Sequence, residues 1–89
     1  MSRVEQIRTA LQFVLSPTHL VVTDDRHKHA GHAGARDGSG HFHVEIVSQV
    51  FAGKSSLARH RAIYAALGSL METDIHALSI QARAPEEIP

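Results

Sequence analysis

The stretch His41-Phe42-His43-Val44-Glu45-Ile46-Val47-Ser48 decides the fold. Phe42, Val44 and Ile46 alternate with His41, His43 and Glu45. That period of two belongs to a strand with one face on a core and the other face off it. Just upstream, residues 19–24, His-Leu-Val-Val-Thr-Asp, are short and rich in β-branched side chains, so they read as a second strand. Residues 25–40 lie between the two. They hold four glycines, three histidines and mixed charge, with no large apolar residue. They predict a flexible surface loop, and the two strands then form a long-looped antiparallel hairpin.

Helices are predicted on either side of this hairpin. Over residues 2–16, Val4, Ile7, Leu11, Val14 and Leu15 recur at intervals of three and four, with one further step. Ser2 and Glu5 have capping-box spacing at the start, and Pro17 closes the end. Residues 49–55 read as a turn. A second helix starts near Ser55 or Ser56 and runs through residue 71, with Leu57, His60, Ile63, Tyr64, Leu67, Leu70 and Met71 on one broad face. A last strand, 76–83, places His76, Leu78, Ile80 and Ala82 on one side, and Pro85, Glu86, Glu87 and Pro89 are expected as a solvated tail. The order is helix, strand, strand, helix, strand. Two helices on one face of a three-stranded mixed sheet is the economical α+β solution, the second strand reaching the third through a helical crossover.

Composition bounds the chemistry. The 89 residues allow one domain, and the absence of cysteine excludes disulfides, thiolate zinc sites and a Cys-ligated cluster held by this chain alone. Nine basic residues balance nine acidic ones, which argues against a general polyanion binder. The start lacks a signal-peptide stretch and no apolar run approaches the ~20 residues of a membrane span, so a soluble cytoplasmic protein is expected. Eight histidines are the outlying number, and five of them fall between residues 27 and 43. Histidine is the commonest metal ligand, but no standard ligand spacing marks these.

The short motifs carry less than they suggest. Gly53-Lys54-Ser55 lacks the glycine five residues earlier that a phosphate loop needs, since position 48 is serine. It reads as a turn followed by a helix cap. Gly31-His32-Ala33-Gly34 has the spacing of an RNA-clamping loop but lies between strands, not helices. No nucleophile elbow or ordered triad is visible, so neither catalysis nor a small-molecule substrate is expected. Lys54, Arg59 and Arg61 form a local cationic feature, because residues 49–71 contain no acid. They suit a polyanion or an acidic partner, or simply a solvated helix face. Among the histidines, a helix fixes His60, whereas His27, His29 and His32 lie on the loop. His19, His41, His43 and His76 have ordinary strand readings.

Several of these stretches, taken together, resemble the BolA-like proteins. The resemblance rests on the strand 41–48, on Phe51-Ala52-Gly53-Lys54-Ser55, on Arg59-His60-Arg61-Ala62-Ile63-Tyr64 and on His76-Ala77-Leu78-Ser79-Ile80, with the Asp24-Asp25 strand end and the Gln81–Pro85 ending in support. It implies a KH-like (type II) single domain over residues 1–85, with the Gly/His loop 25–40 inside it and a tail at 86–89. It also implies pairing with a monothiol glutaredoxin and a shared [2Fe–2S] cluster, used in iron–sulfur cluster trafficking or iron regulation. The partner would bring a cysteine and glutathione, and none of the cofactor is expected on the isolated chain. Carried over by position, the ligands are His60 and His29, with His27 and His32 as alternates for the loop ligand, and Arg59 and Arg61 would dock glutathione or an acidic partner surface. The alternative implied by the resemblance is a regulator of stress response and cell morphology that binds double-stranded DNA through Lys54, Arg59 and Arg61.

Overall fold

A computed structural model describes residues 2–25, 40–73 and 75–88, and of His76 the backbone only. Helix α1 spans Arg3–Leu15. Strand β1 covers His19–Asp24 and β2 covers Gly40–Val47. A 3-10 turn at Gln49–Phe51 leads to α2, Ser56–Leu67, and a short α3, Leu70–Thr73. Strand β3, Ile75–Arg83, and a 3-10 turn at Pro85–Glu87 complete the chain. The sheet order is β1-β2-β3, with β1 antiparallel and β3 parallel to β2. This is the predicted α+β arrangement of helices against a three-stranded mixed sheet.

The strand alternation works as predicted. Phe42, Val44 and Ile46 are buried with Val22, and they meet Ile7, Leu11 and Leu15 of α1 and Ile63 and Leu67 of α2. The Ser2 hydroxyl accepts from the Glu5 amide at 3.1 Å, which caps α1. The Ser55 hydroxyl does the same for Ala58 at the start of α2.

Two elements differ from the sequence reading. The second helix does not run unbroken to residue 71. It stops at Leu67 because Gly68 adopts φ +56° and ψ −128°, a backbone region closed to L side chains, and two residues later the chain makes only the single turn of α3. The last strand also breaks its alternation. Gly40 pairs with Ile75 but the next residue, His41, pairs with Ala77, so β3 carries one extra residue, His76, in a bulge. Ile75 therefore reaches the core together with Leu78, Ile80 and Ala82, which strict alternation forbids.

Ser48 is the buried polar pivot at the far end of the sheet. Its hydroxyl donates to the Leu15 carbonyl at 2.6 Å and accepts from the Val50 amide at 3.3 Å, while its amide donates to the Arg83 carbonyl at 3.0 Å. One residue thus joins the end of α1, the end of β2, the end of β3 and the turn toward α2. Ser48→Ala is expected to cost about 1–3 kcal/mol, because the Leu15 carbonyl loses a buried donor and the turn loses its cap. Urea denaturation reads this directly.

Candidate functional site

The sheet has two structurally distinct ends. At one end β1 stops and β2 begins, so the 26–39 connection is rooted at Asp25 and Gly40. Gly40 pairs with Ile75, which puts the β3 bulge at His76 beside these roots. The other end holds Ser48, the start of α2 and the chain's last turn. From Ile75 to Ala82 the two ends are roughly 23 Å apart along β3.

His60 belongs to the second end. Its neighbour Arg59 donates from Nη1 to the Ala82 carbonyl at 3.1 Å, which ties that turn of α2 to the close of β3. His60 is half-buried and sets its ring edge-on to Tyr64, with centroids 6.5 Å apart. The loop candidates His29, His27 and His32 lie outside the described residues. Among the described residues, no three His, Asp or Glu side chains come together as a metal site.

Arg59 is committed within the chain. Nη1 and Nη2 reach the two Glu87 carboxylate oxygens at 2.7 Å each, and Nε donates to the Lys54 carbonyl at 2.9 Å. The Glu87 carboxylate also accepts from the Ala84 amide at 2.9 Å. The ending that reads as a solvated tail is in fact a turn clipped onto α2, with Ala84 buried. Of the three basic residues singled out from sequence, Lys54 and Arg61 are exposed, and Arg59 is neutralised by its bidentate partner. Sequence reasoning missed Glu87. The available signal was Pro85 followed by two glutamates, a start signature for a helical turn.

The Arg59 guanidinium, followed by the Ala84 amide, lowers the Glu87 carboxyl from 4.5 to about 2. A lowered carboxyl pKa adds stability above the unfolded value, and that stability disappears as pH falls through the folded value. Glu87→Gln is therefore expected to melt at a lower temperature than the parent at pH 7. The difference should shrink below pH 4.5 and vanish near pH 2. Thermal scans of both chains across that range check it.

An α+β layer with a parallel β2–β3 crossover and a long hairpin connection defines the class of protein. The chain belongs to the BolA-like protein family, whose model matches residues 11–87. It is 42% identical to the chloroplastic protein BOLA1 of Arabidopsis thaliana over 99% of this chain and 57% of that one. It is 45% identical to the SufE-like protein 1 of the same plant, over 98% of this chain and 25% of that one. The chain thus spans little more than half of the first of these relatives and only a quarter of the second. The solved BolA domain of SufE1 from Arabidopsis thaliana superposes with a TM-score of 0.85 at 43% identity, covering 99% of this chain and 98% of that one. Among the described residues, no helix is long and apolar enough to cross a membrane.

Proposed function

We propose that this chain is the BolA-like half of a complex with a monothiol glutaredoxin, holding a shared [2Fe–2S] cluster through two histidines and acting in cluster trafficking or iron regulation. Family membership supports the reading, and the sequence supplies histidine in place of the cysteine it lacks. The observation that carries it is the meeting of the 26–39 roots with a bulged histidine at one sheet end.

One ligand is a loop histidine, His29, with His27 and His32 as alternates. For the second ligand the backbone favours His76 over His60. His76 is the extra residue of a β-bulge, and its backbone sits beside the roots of the loop. His60 lies toward the opposite sheet end, on the turn that Arg59 fastens to Ala82. Imidazole in place of thiolate leaves the cluster less negative and raises its potential. It also makes the cluster acid-labile, because imidazolium does not ligate. Lys54 and Arg61 are the exposed cations that meet an acidic partner surface. The alternative, a DNA-binding regulator, rests on those two groups alone, since Arg59 is already paired.

Anaerobic reconstitution of the full chain with a monothiol glutaredoxin, glutathione, iron and sulfide tests the proposal. A heteromeric complex is expected, with a visible spectrum distinct from that of the glutaredoxin alone. An unchanged glutaredoxin spectrum and no co-elution would refute it.

A further inference from the structure

The open face of the sheet carries a cleft of about 480 Å³ at the end away from the loop roots. Its floor is Val47, and the last turn supplies an apolar wall in Pro85 and Ile88. Ile88 is 44% exposed, so its side chain is available to an apolar group that enters the cleft. The polar rim is asymmetric. On the β1 side, His19 Nε2 and Glu45 Oε2 bond each other at 2.7 Å. On the β3 side, Arg83 is exposed and its side chain makes no hydrogen bond or ion pair with a described residue, and Gln81 lies two residues before it on the same face. Glu45 pairs in register with Gln81 and Val47 with Arg83, so Glu45 and Arg83 are diagonal neighbours of opposite charge. They are not bonded, because Glu45 turns to His19. Glu87, the nearest carboxylate in sequence that Arg83 acts on, is held by Arg59.

We propose that this cleft binds an organic carboxylate with an apolar body. The carboxylate pairs with the Arg83 guanidinium and accepts from the Gln81 amide, and the apolar portion covers Val47, Pro85 and Ile88. Two sources share this chemistry: a small apolar carboxylic acid, and the C-terminus of a peptide that ends in an apolar residue. The site is separate from the histidine end of the sheet and does not depend on a cluster.

The test is an amide chemical-shift titration of the full chain with four probes. These are hexanoate, hexanamide, N-acetyl-Gly-Gly-Leu with a free C-terminus, and the same peptide as its C-terminal amide. A carboxylate probe is expected to give saturable shifts at Val47, Gln81 and Ile88, with the matching amide at least about tenfold weaker. Arg83→Gln should weaken carboxylate binding by about the same factor, and Ile88→Ser should weaken it while leaving the acid-over-amide preference intact. Saturation by hexanoate identifies a small acid, and saturation by the peptide alone identifies a chain terminus. Equal binding of acid and amide, undiminished binding by Arg83→Gln, or no saturable shift with any probe overturns the proposal.

Discussion

Replacing His76 by alanine is expected to abolish the cluster spectrum of the reconstituted complex, whereas His60→Ala is expected to retain it. The argument rests on where the backbone brings the two residues. The connection that carries His27, His29 and His32 leaves the fold at Asp25 and returns at Gly40, whose sheet partner is Ile75. His76 follows immediately and is the residue that the bulge adds to β3. A two-ligand iron needs its donors about 2 Å from one atom, so the second donor must lie where the loop can converge with it. His60 instead flanks Arg59, which is fastened to Ala82 and Glu87 at the other sheet end. Circular dichroism confirms folding of each variant, and the visible spectrum reads the cluster. A full-intensity spectrum from His76→Ala, with loss in His60→Ala, would restore the assignment that the family resemblance implies. Among the loop variants, His29→Ala is expected to show the larger loss than His27→Ala or His32→Ala. In the parent complex, the spectrum should fade on acidification, because protons compete with the metal for imidazole.

The second large effect is on stability. Gly40→Ala would place a Cβ 1.9 Å from Cε2 of Phe42, and that ring is only 2% exposed within the core. The ring lies over its own strand neighbour two residues back, and it must leave its place to make room. Overpacking of this kind costs about 1–3 kcal/mol, read as a lower urea midpoint with an unchanged slope. Adding Phe42→Leu should recover part of the loss, so the double variant would be less destabilised than the sum of the single changes. Additive losses would show that the Phe42 ring is not the obstacle.

The sequence made the sheet legible because burial there follows a short, regular period. Phe42, Val44 and Ile46 declared their face without help from distant contacts, and Ser2 and Ser55 announced their helices through local capping chemistry. The misses were non-local or conformational. A positive φ at Gly68 divides the second helix, yet a glycine between apolar turns reads equally well as helix interior. The Arg59–Glu87 ion pair spans 28 residues, so no window of sequence contains it. The bulge at His76 is a property of two paired strands and is invisible in either one. The basic trio looked uniform as sequence, and only the fold separates committed Arg59 from exposed Lys54 and Arg61.

The pairing of β1 with β2 has a consequence for how this chain tolerates change. Register is set within the strands, by Leu20 against Ile46 and Val22 against Val44, and not by the connection that joins them. The span between Asp25 and Gly40 is therefore open to insertion. Doubling its length costs only about 0.6 kcal/mol of closure entropy. Adding, removing or shifting histidines along it leaves those strand pairs unchanged, so the proposed loop ligand can be engineered without resetting the register.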